Sequence, residues 1–157
     1  MAVVKITEYT DTDKIRSALG FDASDARDAL LSAAGLDISL EHDLDEWLPT
    51  HAAIWAAGTA GTVTASEKKL AQALGMYAQW FCAHLVASKQ MLFIQIFSDG
   101  KSQMNRFDID VDSVRLMCEA ERNAWKDKLQ ELDGQTPTAS SFNPVGISTP
   151  TFDPITG

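Results

Sequence analysis

The chain has 157 residues, of which 45% are hydrophobic, and a formal net charge of −9 at pH 7. This length and apolar content predict one folded domain with its own core and leave too little chain for a second. The acidic balance argues against sequence-specific binding of nucleic acid, because a negative surface repels the phosphate backbone. No window approaches the roughly 18 apolar residues of a membrane-spanning helix, and no secretory signal is recognisable, so we expect a soluble product without membrane contact.

The charged residues are segregated along the sequence. Residues 1–48 carry 11 acidic and 4 basic side chains, whereas a basic island, Lys89, Lys101 and Arg106, lies further along beside a turn-forming run at 98–102. The island either pairs with the acidic N-terminal helices of the same chain or meets the acidic helices of a neighbouring subunit. In the second case, contacts between unlike surfaces generate a ring.

Helix start and stop signals predict three short helices before Pro49. They lie at 10–20, at about 22–35 and at about 39–48, and Pro49 closes the third. The segment 58–63 lacks both periodicity and charge, which predicts a flexible loop between two helical blocks.

Two longer helices are predicted to form the core. Residues 64–67 fit a capping box, after which apolar side chains recur every three or four positions at Leu70, Leu74, Tyr77, Phe81 and Leu85. The last helix is expected from about residue 110 to 132, ended by Gly134, with these side chains facing inward: Val114, Met117, Cys118, Ala124, Trp125, Leu129 and Leu132. The run 91–97 is apolar nearly all round, so periodicity fits both a buried helix end and a short strand. The predicted fold class is all-α, a small bundle of four or five helices with long central and C-terminal helices.

The composition changes after Gly134. Residues 135–157 hold four of the five prolines and one charged side chain, Asp153. The prolines exclude a helix, and apolar side chains spaced along a charge-poor segment suit binding to a partner. We therefore divide the chain into a helical bundle domain, 1–134, and an extended C-terminal docking arm, 135–157. The arm residues expected to make contact are Phe142, Pro144, Val145, Ile147, Pro150, Phe152, Pro154 and Ile155.

The sequence offers no catalytic or metal-binding signature. His42 stands among Asp43, Asp45 and Glu46, but this spacing fits no zinc or calcium motif. Nucleophile-elbow, dinucleotide and P-loop patterns do not occur. We expect no enzyme activity, no metal and no cofactor, and keep a hydrolase that uses His42 or His84 with nearby carboxylates as a rival.

Two residue types have structural and functional interpretations that the sequence leaves open. Trp47 and Trp55 serve either as core anchors or as interface anchors. Cys82 and Cys118 are expected to be free buried thiols rather than a disulfide.

Three segments carry a resemblance to a known family. The strings at 12–20, 44–48 and 97–107, TDKIRSALG, LDEWL and FSDGKSQMNRF, resemble small helical head-to-tail adaptor proteins, or neck connectors, of tailed bacteriophages. The resemblance extends over most of residues 10–133. In that family a bundle of a few helices repeats around a ring, commonly twelvefold, beneath the portal. DNA passes through the middle, and a C-terminal arm commonly docks on the portal.

The resemblance implies a structural virion protein located in the neck and made in the cytoplasm of the host bacterium. Its partners would be the portal protein, a tail or nozzle protein and further copies of itself, and genomic DNA would pass through without sequence-specific binding. Residues 135–157 would dock on the portal. The subunit-interface candidates are Trp47, Trp55, Lys89, Asp99, Lys101 and Arg106. The alternative is a small soluble helical adaptor or regulator that binds one protein partner through its C-terminal tail.

Overall fold

A computed structural model describes residues 4–21, 23, 26–32, 34–89, 96–98, 103–105 and 111–134. These residues form six helices: α1 Thr12–Leu19, α2 Asp28–Ser32, α3 Leu36–Trp47, α4 His51–Thr59, α5 Ala65–Ser88 and α6 Val111–Leu132. Two short strands, β1 Ile96–Ser98 and β2 Gln103–Asn105, pair antiparallel. The prediction of an all-α bundle with long central and C-terminal helices is confirmed. The described part contains six helices rather than four or five.

The first three helices follow their sequence signals, with shifted starts. Asp11 caps α1 by accepting a hydrogen bond from the Lys14 amide at 2.9 Å, and Gly20 ends α1 with a φ of 71°. The helix expected at 22–35 is confirmed only over Asp28–Ser32, and the one expected at 39 begins already at Leu36.

Arg16 joins α1 to α2 from a buried position. Its guanidinium donates to the Ala26 carbonyl at 2.9 Å and to the Asp28 carboxylate at 2.7 Å, and it also pairs with Asp13. A buried cation held by two carboxylates and a carbonyl fixes the angle between these short helices, since removing a partner would leave charge out of water.

The long helix α5 is the centre of the bundle and packs against α1, α3, α4 and α6. The predicted capping box is present: the Glu67 amide donates to the Thr64 hydroxyl at 3.2 Å, and the Thr64 amide donates to the Glu67 carboxylate at 2.7 Å. The apolar stripe is confirmed, with Leu74, Tyr77 and Phe81 buried and its outer members half-buried.

The expected loop at 58–63 is wrong in its first two residues, because α4 continues through Gly58 and Thr59. A Cβ on Gly58 would lie 2.2 Å from the Ala71 Cβ and 2.7 Å from the Glu67 carbonyl oxygen. This glycine therefore marks a close helix crossing. Glycine is common in loops, but at this position the missing side chain lets α4 approach α5.

One face of α6 packs on α5. Cys118 and Leu129 are fully buried, as expected, and residues three or four positions away on the same face are half-buried. The expectation that Met117 and Ala124 face inward is wrong: Met117 is 45% exposed, and Ala124 is exposed too. Each is turned about 100° or more from the buried face, which is the step between successive helical positions.

Two open questions from the sequence are settled in part. Cys82 and Cys118 are free and buried, as predicted. Within the apolar run 91–97, residues 96 and 97 belong to β1, while 91–95 lie outside the described residues.

Candidate interaction surface

A groove of about 540 Å³ lies between α4 and α6 on one face of α5. Its floor and walls are largely apolar, formed by Trp55, Ala71, Gly75, Met76 and Trp125. A concave apolar surface flanked by helices is the geometry with which proteins bind a partner helix or peptide.

The helical period of α5 sets the groove opposite α3. Gln72 and Gln79, seven residues apart and hence on one face of the helix, both line the groove. Tyr77 lies about 140–160° around the helix from both, at 100° per residue, and its hydroxyl donates to Asp43 of α3 at 2.5 Å. The groove and α3 therefore lie on opposite sides of α5.

Trp55 forms one wall and is held by contacts within the chain. Its ring meets the Tyr9 ring edge-on at 5.2 Å between centroids. Gly75 lies beneath it: a Cβ there would be 3.7 Å from the indole. The indole therefore packs beside α5 at this position, and Trp55 is at once a core anchor and a groove-lining residue.

A polar chain supports the same wall. The Tyr9 hydroxyl lies 2.7 Å from Nδ1 of His51, and Nε2 of His51 lies 3.0 Å from the Asp45 carboxylate. Tyr9 and His51 are buried, whereas Asp45 is exposed. The chain ties the N-terminal segment to α3 and α4, with each buried polar atom satisfied by the next.

The groove continues toward the end of α6. A second depression of about 340 Å³ shares Gln72, Met76 and Trp125 with the first and reaches Lys128 and Leu132. The Trp125 ring thus stands at the centre of one continuous surface that runs from α4 to the last turn of α6.

Four lysines stand around this surface, which we call the lysine groove: Lys14, Lys68, Lys69 and Lys128. Lys14 lies 3.5 Å from Asp11, and Lys128 lies 2.7 Å from Glu131. Across the part of the chain that the structure describes, neither Lys68 nor Lys69 has a carboxylate at ion-pair distance. Lys68 and Lys69 therefore give the rim of the apolar groove two positive charges without a carboxylate partner in the described chain, on a protein of net charge −9.

The opposite charge is concentrated on the outer side of α3. Its inner face buries Leu36, Leu40 and Leu44 in the core. Its outer face, which we call the acidic face, exposes Asp37, Ile38, Glu41, His42, Asp45 and Glu46. Ile38 is 72% exposed and lies at the N-terminal end of this face, beside Asp37 and one turn before Glu41. It gives the acidic face one apolar contact point.

Of the interface candidates predicted from the sequence, the structure describes Trp47, Trp55 and Lys89. Trp47 packs edge-on against Tyr77 at 5.1 Å, and its indole N–H donates to Asp43 at 2.8 Å. The Lys126 ammonium lies 4.6 Å from the Trp47 ring centroid. These contacts make Trp47 a core anchor between α3, α5 and α6.

The basic island is represented among the described residues by Lys89 alone. Lys89 is exposed, and its ammonium donates to the backbone carbonyl of Ala34, between α2 and α3. It thus reaches the acidic N-terminal region through a carbonyl rather than through a carboxylate. The remaining predicted site residues lie outside the described residues: Asp99, Lys101, Arg106, Phe142, Pro144, Val145, Ile147, Pro150, Phe152, Pro154 and Ile155.

The histidines considered for catalysis lie on different helices. His42 is exposed on α3. His84 is half-buried on α5, and its Nδ1 lies 3.3 Å from the Arg122 guanidinium. Burial lowers the pKa of His84, and the charge of Arg122 lowers it further. Among the described residues there is no group of three or more side chains suited to hold a metal ion.

No protein-family model matches this chain, and neither does any curated protein or solved structure. Over the stretches that the structure describes, no helix combines the length and apolar character needed to cross a membrane.

The lysine groove was not predicted from the sequence, although the sequence contains one signal of it. Lys68 and Lys69 are the only adjacent pair of basic residues in the sequence. The apolar floor gave no separate signal, because Trp125 follows the same period as the core positions of α6. Only the packing of α4 on α5 shows that its ring remains accessible in a groove.

Proposed function

We propose that this chain is a structural virion protein, a head-to-tail adaptor that forms a ring between portal and tail or nozzle around the DNA channel. The observation that carries the proposal is a helical body joined at Gly134 to a segment of 23 residues that is poor in charge and rich in proline. Fully extended, such a segment reaches about 75 Å, enough to cross a neighbouring subunit.

The helical body suits a load-bearing platform. Helices α5 and α6 have 24 and 22 residues and pack along each other. At 1.5 Å per residue, they are about 36 and 33 Å long. Their core is made of fully buried side chains from both helices, and a close-packed interior of this kind transmits force with little deformation.

The charge distribution supports a ring through which DNA passes. Carboxylates on exposed surfaces repel the phosphate backbone, so a lumen lined with them does not grip DNA. A ring also needs two unlike, complementary surfaces on each subunit. The lysine groove is formed by α4, α5 and α6, whereas the acidic face belongs to α3, and the two surfaces differ in charge.

The polar chain of Tyr9, His51 and Asp45 fits a structural role better than a catalytic one. The Tyr9 and His51 side chains are buried and hydrogen-bonded to each other, and together with Asp45 they tie the N-terminal segment to α3 and α4. We accordingly propose a non-enzymatic protein.

Binding of the full-length chain to the portal protein of the same phage tests this function. A variant with Phe142, Ile147, Phe152 and Ile155 replaced by serine should lose portal binding, because the arm has lost its apolar contacts. A matched variant with Thr136, Thr138, Ser140 and Ser141 replaced by alanine should keep it. Failure of the wild-type chain to bind portal contradicts the adaptor function, and binding by the serine variant contradicts the role of the arm.

The second candidate is a small soluble helical adaptor that binds one protein partner through the same tail. The spaced apolar residues of 135–157 support it equally. The two functions differ in stoichiometry: the alternative gives one-to-one complexes, whereas the ring adaptor gives many copies around one portal.

A further inference from the structure

We propose that the lysine groove binds the acidic face of α3 from a second copy of the chain. The inference rests on the proposed function and deepens it, since it assigns the two surfaces through which subunits of the ring meet.

Charge complementarity is the first support. The lysine groove brings four ammonium groups around an apolar floor, and the acidic face carries four carboxylates. Lys68 and Lys69 have no carboxylate within ion-pair distance in the described chain, and both are exposed. Complementary potentials of this kind steer two copies together and fix their register.

The two surfaces also match in length and in apolar content. From Asp37 to Glu46 the acidic face extends about 14 Å, and from Lys68 to Gln79 the groove extends about 16 Å, at 1.5 Å per helical residue. Ile38 projects from the acidic face with 72% of its surface exposed. Met76 and Trp125 offer an apolar floor to receive it, so that association removes apolar surface from water on both sides.

The position of the two surfaces makes the contact intermolecular. The buried side chains of Leu36, Leu40 and Leu44 hold α3 in the core, so α3 cannot enter the groove of its own chain. Asp45 lies behind His51 and Tyr9, which separate it from the Trp55 wall. Each copy therefore offers one groove and one acidic face to two different neighbours. Such a heterologous contact repeats from copy to copy, and it closes into a ring when the rotation between copies divides a full turn.

Two charge-reversal variants test the contact. The groove variant is Lys68→Glu with Lys69→Glu, and the face variant is Glu41→Lys with Glu46→Lys. All four side chains are exposed. The acidic substitutions fall near the start of α5, and the lysine at 46 falls in the last turn of α3, where the helix dipoles favour these charges. Thermal unfolding is measured to establish that both variants are folded.

Sedimentation of each variant alone and of their equimolar mixture gives the decisive comparison. Each variant alone carries two surfaces of like charge, so its dissociation constant should rise by about tenfold or more over wild type. In the mixture, the reversed groove meets the reversed face and the native groove meets the native face. Both contacts are then complementary, and association should return to near the wild-type level and weaken with added salt.

Arg27→Glu, at an exposed position that lines neither surface, is a control that lowers the net charge by two, half of the change of four in the groove variant. Three results overturn the proposal: a variant that self-associates like wild type, a mixture that shows no recovery, or a wild-type chain that stays monomeric up to about 1 mM. Occupation of the groove by residues 135–157 or by DNA would appear as one of these results.

The result of this complementation test can be distinguished from a failure of the proposed adaptor function. Variants that complement each other without binding portal leave the contact standing and remove the adaptor function. Variants that bind portal through their intact arms but do not complement each other remove the contact alone.

Discussion

Replacement of Gly58 by alanine tests the close packing of α4 on α5, which builds one wall of the lysine groove. The new Cβ would lie 2.2 Å from the Ala71 Cβ and 2.7 Å from the Glu67 carbonyl oxygen. The second neighbour is backbone, so rotation of a side chain does not relieve the overlap. The two helices have to separate.

The expected loss of stability follows from two opposing effects. Overpacking of this kind costs about 3 kcal/mol at the upper end of its usual range. Alanine in place of glycine within a helix returns about 1 kcal/mol. The free energy of unfolding should therefore fall by about 2 kcal/mol, which moves a urea midpoint down by about 1 M for a slope near 2 kcal/mol/M.

Urea unfolding of three further variants completes the test: Gly61→Ala, Ala71→Gly, and Gly58→Ala combined with Ala71→Gly. Gly61→Ala is the matched control, because a Cβ at Gly61 meets nothing within 4 Å, and its midpoint should hardly change. Adding Ala71→Gly to Gly58→Ala removes the 2.2 Å contact and should recover part of the loss, beyond the sum expected from the single variants. Equal midpoints for Gly58→Ala and Gly61→Ala would refute the packing argument.

Three other predictions concern the ionisable and polar groups. Hydrogen bonds from Arg16 and then Thr12 hold the pKa of Asp28 below its usual value. The stability that this carboxylate contributes is therefore present above its unfolded pKa and is lost as the pH falls through its folded pKa. Asp28→Asn should make the free energy of unfolding depend less on pH on the acid side than Asp127→Asn does. Tyr77→Phe removes the hydrogen bond to Asp43 within the bundle and should lower the free energy of unfolding, measured in urea, by about 1–2 kcal/mol. An unchanged midpoint contradicts that role. Burial raises the pKa of Cys82 to about 12 and that of Cys118 to about 11, so a thiol reagent at pH 8 should modify neither in the folded chain and both in denaturant, whereas rapid labelling of the folded chain would contradict their burial.

The parts of the fold that depend on local chemistry could be predicted from the sequence. Thr64 and Glu67 predict the start of α5, because a capping box satisfies two backbone amides within one turn. Gly20 and the acidic first turn of α1 act in the same local way. The buried stripe of α5 follows from its period alone.

The parts that depend on contacts between helices could not be predicted. Gly58 belongs to a segment, 58–63, whose composition favours a loop. Only its close approach to Ala71 explains why this glycine lies in a helix. Met117 fits an apolar period, yet α6 touches α5 along a narrower face than that period implied. The lysine groove arises from the relative placement of α4, α5 and α6, which no single segment encodes.

The roles of Trp47 and Trp55 could not be decided from the sequence either. Both are large aromatic residues that suit a core or an interface. The hydrogen bond from Trp47 to Asp43 and the contact of Trp55 with Tyr9 assign both to the packing of the chain, and Trp55 in addition to the groove wall.

The proposed adaptor function can be tested by single-particle electron microscopy of the wild-type chain mixed at low salt with the portal protein of the phage proposed to encode it. We expect a closed ring seated on the portal, in which α3 of each copy lies in the lysine groove of the next. Portal particles that carry no ring, beside chains that remain monomeric, would contradict it.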